Sequence, residues 1–230
     1  MLAGRIVAAQ PDINQIADRG ACGNVGKPAF PQDRRFQRIA RWFSDWEIAR
    51  RGDIARIDAE IRGEIQIPLD NARIFVLSAR ADRIERRHDG SFAILDYKTG
   101  APPTGKQVRM GLSPQLTLEA AILREGGFAD IAADSSVSEI GYVRLSGNNP
   151  PGEQKLLELK IKQSDTPQLP DDAADEALRK LEALIRAFES EDQAYTSLNL
   201  SMWSNRYGSY DDLARIKEWS AVGGLGLEEW

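Results

Sequence analysis

The segment from Asp82 to Gly100 constrains this chain more than any other part of it. It reads Asp82-Arg-Ile-Glu, then Arg86-Arg-His88-Asp89-Gly90-Ser, then Phe92-Ala-Ile-Leu-Asp96-Tyr97-Lys98-Thr-Gly100. Asp89-Gly90 between two apolar, strand-forming runs is a strong short-range hairpin signal. On the second strand Asp96 and Lys98 are two apart, so their side chains leave the same sheet face. The hairpin partner brings Asp82 beside them. Two carboxylates and an ammonium on one rigid surface make a candidate divalent-metal site with a cation next to it. Magnesium takes hard oxygen ligands and keeps several waters, so one or two carboxylates plus substrate phosphate oxygens complete its shell. Bound metal acidifies a water and polarises a phosphoryl group. Lys98 supplies a point charge for the attacking hydroxide or the charge building on phosphate. The plainer alternative for Asp96 and Lys98 alone is a same-face ion pair.

The wider pattern resembles a known family. Asp82 followed by Asp96-Tyr97-Lys98 is similar to the motif of the PD-(D/E)XK nuclease superfamily in its RecB-like branch. Ala79-Arg-Ala-Asp82-Arg-Ile, then Ile94-Leu-Asp96-Tyr-Lys98-Thr-Gly-Ala-Pro-Pro and Ser113-Pro-Gln115-Leu, resembles the C-terminal nuclease domain of the AddB family, as does Tyr210 to Trp219. The resemblance runs over about residues 33 to 220 and is densest from 73 to 120.

It implies an α/β (α+β mixed-sheet) restriction-endonuclease-like core with helices packed on the sheet. It also implies a Mg2+- or Mn2+-dependent deoxyribonuclease of exonuclease type, part of an AddAB-type helicase–nuclease in double-strand break repair. The partners would be a single DNA strand at broken ends and an AddA-type subunit. Asp82, Asp96 and the Tyr97 carbonyl would hold metal, and Lys98 would support the nucleophile. The Tyr97 side chain would point to the opposite, core-facing side. Glu60 and Glu64 share a face of the first strand, and Glu60 is the chosen third ligand. Gln115 begins a Q-x-x-x-Y-like element beside the DNA backbone, but its fifth residue here is Glu119. Lys106 and Arg109 add phosphate contacts. RecB-like nucleases also bring a metal-binding histidine from an upstream helix. Here His88, a turn residue, is the only histidine. That departure, with Glu119, motivates the alternative of a catalytically weak DNA-binding or subunit-docking module.

Composition narrows the remaining options. The net charge of −5 sits in Asp165 to Asp192, which carries nine acids and three bases; the remainder is slightly basic. Tyr97 to Leu112 has Lys98, Lys106 and Arg109 and no acid, so positive charge gathers near the proposed site. One cysteine, Cys22, rules out an internal disulfide and an iron–sulfur cluster ligated by this chain alone. Cysteine and histidine counts exclude a structural zinc site, and no Gly-x-x-x-x-Gly-Lys-Ser/Thr loop supports an ATP site. The sequence shows no apolar run long enough to span a bilayer and no signal-peptide pattern, so a cytoplasmic protein without membrane attachment is expected.

Residues 1–30 read as a loosely ordered lead-in, and 31–230 as the nuclease domain with a C-terminal helix and tail. The spacing predicts a helix over Gln32 to Arg51, with Phe36, Ile39, Ala40, Phe43 and Trp46 inward and Trp42 and Trp46 in the core. Strands follow at 57–67, 73–85 and up to Lys98, then a helix from Pro114 to Arg124. Strands at 138–145 and 155–161 and an amphipathic helix from Asp171 to about Ser190 complete the order α-β-β-β-α-β-β-α.

Overall fold

The computed structural model describes residues 34–190, 192 and 193. The lead-in, Cys22 and the 210–219 tail lie outside them. The chain forms two compact units, 1–185 and 186–230. Of the second, the described part is the end of one helix and a few residues beyond.

Helix α1 (Arg34–Arg50) precedes strands β1 (Ile54–Pro68), β2 (Ile74–Arg87) and β3 (Phe92–Lys98). Short α2 (Gly105–Arg109) and α3 (Gln115–Arg124) lead to β4 (Val137–Leu145), β5 (Gly152–Leu156) and α4 (Pro170–Phe188). The strands make one sheet in the order β1-β2-β3-β4-β5. β3 and β4 are parallel and the other neighbours antiparallel. A parallel pair needs a crossover, which α2 and α3 supply, so β3 and β4 end at the same edge.

The two faces differ in chemistry. On one, Ile84, Ile94 and Ile140 pack against Leu116, Ala120 and Leu123 of α3 and Ala174 of α4. α3 is apolar nearly all round, as its sequence predicts, and is deeply buried. On the other face α1 lies over a polar surface. Arg50 bonds Glu85 and Glu139, and Arg83 reaches Glu47 and Glu85. Trp46 donates to Gln154 at 2.7 Å and stacks on Trp42. Because this face holds charged residues, no α1 residue is fully buried, and the two tryptophans pack at a half-buried layer. Phe36, expected inward, is 67% exposed.

Two further differences are local. α2 is additional to the predicted elements: Thr104 accepts from the Gln107 amide at 3.2 Å, and the Gln107 side chain accepts from Thr104 N–H at 2.8 Å. That reciprocal cap starts a helix in a stretch with no apolar periodicity. β5 begins earlier than predicted because Ser146 and Gly147 N–H both close on the Pro151 carbonyl. The loop is therefore tight and pairing starts at Gly152.

Candidate active site

The hairpin turn forms at Asp89-Gly90, where Gly90 has φ +87° and Asp89 caps the Ser91 N–H at 2.9 Å. From there the β2–β3 ladder runs through Arg86↔Phe92 to Arg83↔Leu95. The paired register stops there, one residue short of Asp82 and Asp96. Instead of a main-chain carbonyl, the Asp82 carboxylate accepts the Tyr97 N–H at 3.0 Å. This acid is thereby held at the point where the two strands part.

β1 is irregular at the same level. Its pairing passes from Ala59↔Arg83 to Ile61↔Ala81, and Glu60 between them has φ +56°. A non-glycine residue in the left-handed region marks a local kink. The inward set on β2 steps by one across this break: Ile84 lies in the core on one side, Ala81 and Ala79 on the other. The kink also decides the fate of Glu60. Its carboxylate is about half exposed and pairs with Arg80 at 2.7 Å, so it is not brought to the acid cluster.

Asp96 is fully buried. Its Oδ1 accepts from Gln115 Nε2 at 2.8 Å, and Lys98 Nζ lies 2.7 Å from Oδ2. The Lys98 ammonium is thus the charged partner of Oδ2, as Gln115 is the partner of Oδ1. Gln115, the first residue of α3, donates also to Glu119 one turn along, at 3.1 Å. Glu119 is 2% exposed, and its other oxygen has no partner. Burial, countered by the Gln115 bond and reinforced by Asp96 and Asp82, pushes the Glu119 carboxyl up to about 8. Burial also raises Asp96, against the opposing pull of Lys98. Tyr142 of β4 pairs in register with Asp96, and its ring lies 5.9 Å from Lys98 Nζ. Its phenol is pushed up to about 12, chiefly by burial, and remains a donor.

The remaining candidates fall elsewhere. The Tyr97 ring lies on the other face, 6.0 Å from Phe43, with its hydroxyl accepting from Arg83 at 3.3 Å. Arg109 is tied to Glu176 at 2.7 Å, and Lys106 is exposed.

A buried Glu119 oxygen without a hydrogen-bond partner, beside the buried Asp96 carboxylate that meets the Lys98 ammonium, is an oxygen donor set that fits a cation. Among the described residues no three His, Cys, Asp or Glu side chains assemble into a protein-only metal cage. The donor set therefore suits a magnesium-like ion that takes much of its shell from water and phosphate oxygens.

A sequence profile of the PD-(D/E)XK nuclease superfamily matches residues 13–198. The chain belongs to this superfamily. Its enzymes are nucleases that generally use divalent metals such as Mg2+, and the mixed sheet with helices on both faces is consistent with their fold. An uncharacterized protein of Rickettsia typhi is 40% identical over 90 residues, 39% of this chain and 10% of that protein. One of Rickettsia felis is 38% identical over 103 residues, covering 45% and 12%. The matched stretch thus spans about a tenth of these relatives' length. Among solved structures, the protein titled SSO0001 aligns with a TM-score of 0.33 at 12% identity, over 68% of this chain and 62% of that one. Among the described residues no helix is long and apolar enough to cross a membrane.

Sequence reasoning did not assign Glu119 and Tyr142 to the site. Glu119 had a signal: it is the one acid on an otherwise apolar helix, four residues from Gln115. Tyr142 had none, because its place depends on the β3–β4 register.

Proposed function

We propose that this domain hydrolyses phosphodiester bonds of DNA at the Asp82–Asp96–Lys98 cluster, as the nuclease part of an AddAB-type assembly that processes broken ends. The convergence of Asp82, Asp96, Lys98 and Gln115 where the ladder stops carries the hydrolytic reading. The AddB-like string around Asp82 and Asp96 supports the assembly and its AddA-type partner.

Asp82 and Asp96, with the Tyr97 carbonyl, would hold the divalent ion, which when bound acidifies a water and polarises a phosphoryl oxygen. Lys98 presents its ammonium at the open end of β3, where it balances charge on the attacking oxygen or the phosphate. Gln115 fixes the Asp96 carboxylate, so Asp96 is oriented before substrate arrives. Lys106 is exposed for backbone contact, whereas Arg109 would have to leave Glu176 to make one.

Cleavage of a labelled single strand in Mg2+ or Mn2+ tests the assignment. Lys98→Ala should lower the rate about 10²–10³-fold, and Asp96→Asn should abolish manganese binding in calorimetry. Wild-type cleavage by Lys98→Ala refutes the assignment. A chain that binds no manganese is a docking or DNA-binding module instead.

A further inference from the structure

We propose that Arg144 is a substrate-binding residue of this site, gripping a backbone phosphate of the nucleic acid next to the one that faces Lys98. The inference rests on the nuclease reading above and adds a contact from β4, which the Asp82–Asp96–Lys98 motif does not contain.

The parallel pairing of β3 and β4 places Arg144 beside Lys98 and Tyr142 beside Asp96. Neighbouring strands lie about 4.8 Å apart, so residues in register are side-chain neighbours on one face. Tyr142 is on the site face, since its ring lies against Lys98 Nζ. Arg144, two residues on, leaves the same face one step nearer the strand end. In open α/β sheets that carboxyl edge is where ligands bind. Here it receives two cations in adjacent positions.

Arg144 is only partly exposed, and its Nε is buried without a hydrogen-bond partner. Arg83, Arg86 and Arg87 on these strands each also leave one buried guanidinium nitrogen unbonded, but each sets its other nitrogens on a carboxylate or a carbonyl, whereas no acid or carbonyl among the described residues meets Arg144. Glu153 of β5 stands in register with Arg144, yet no ion pair joins them among the described residues. A desolvated donor left unpaired is costly, and a guanidinium fork matches phosphate in a way an ammonium does not. An anion bound at this edge would complete Arg144 while Lys98 remains engaged with Asp96.

The test is anisotropy of a fluorescein-labelled oligothymidylate with the full chain in EDTA, where binding is read without cleavage, at salt between about 50 and 200 mM. Arg144→Gln should weaken binding about tenfold. It should also reduce the slope of log affinity against log salt by about 0.7, the loss of one single-strand phosphate contact. Arg144→Lys should keep the slope and lose less affinity. Arg144→Met preserves the stem and replaces the glutamine variant if thermal melting shows that variant unfolded. Wild-type affinity and slope in the glutamine or methionine variant overturn the proposal, and so does a wild-type chain that binds no oligomer. A wild-type chain that binds with this Arg144 dependence but never cleaves in Mg2+ or Mn2+ sinks the nuclease reading and leaves the phosphate contact standing.

Discussion

Glu119 makes the metal-free protein sensitive to pH in a direction opposite to most carboxylates. Its folded-state value of about 8 lies above the ordinary 4.5, with burial the largest cause. Between those values the folded chain holds a proton that the unfolded chain has released, so stability falls as pH rises. The contribution is fully present below about pH 4.5 and is lost through about pH 8. The slope limit for one group is about 1.4 kcal/mol per pH unit. Across the window the loss is therefore a few kcal/mol, a large part of the 5–15 kcal/mol typical of a domain. Asp96 is raised as well and pulls in the same sense, Asp82 adds repulsion, and Lys98 opposes all three.

Urea unfolding in EDTA at pH 5, 6, 7 and 8 reads this directly. Wild type should lose stability steadily over the series. Glu119→Gln keeps the shape and a Gln115 partner without an ionisable group, so its curve should be flatter and lie above wild type at pH 8. If the proposed site takes a divalent ion, manganese added at pH 8 should restore wild type by mass action, but not Asp96→Asn. A wild-type curve that is level or rising from pH 5 to 8, or a Glu119→Gln curve with the same slope, refutes the buried neutral acid.

Two other perturbations probe the scaffold behind the site. In Gly63→Ala the added Cβ would come within 2.5 Å of the Phe128 ring, where the Gly127–Phe128 segment covers the outer edge of β1. Overpacking of this kind should cost about 1–3 kcal/mol in urea unfolding; an unchanged midpoint would show that Phe128 is free to move. Glu85→Ala removes the fully buried acid shared by Arg50 and Arg83. Leaving those guanidiniums uncompensated should cost about 3–5 kcal/mol, with manganese affinity in the surviving folded protein near wild type. A stability loss below about 1 kcal/mol would mean that solvent reaches the network.

How far the sequence could be read follows from how local each determinant is. The Asp-Gly turn and the spacing of Asp96 and Lys98 are near-neighbour properties, and the structure keeps all of them on the predicted hairpin. The helix from Pro114 was legible for the same reason, because a run of apolar residues closed by Gly126 leaves few alternatives. Glu60 was misplaced by an assumption of regular alternation. Period-2 reading puts it on the face of Asp82, but one residue with positive φ turns its side chain to Arg80. No pattern in Asp58-Ala-Glu60-Ile announces that kink. Tyr142 and Arg144 were out of reach for a longer-range reason. Their nearness to Asp96 and Lys98 is set by a register across more than 40 intervening residues, with α2 and α3 between the two strands. The candidate catalytic residues therefore lie in one short hairpin, whereas the residues that neighbour them across β4 come from the parallel pairing. A β4 substitution should accordingly change how substrate is held before it changes whether the ion binds, which is the split that the Arg144 and Asp96 variants measure.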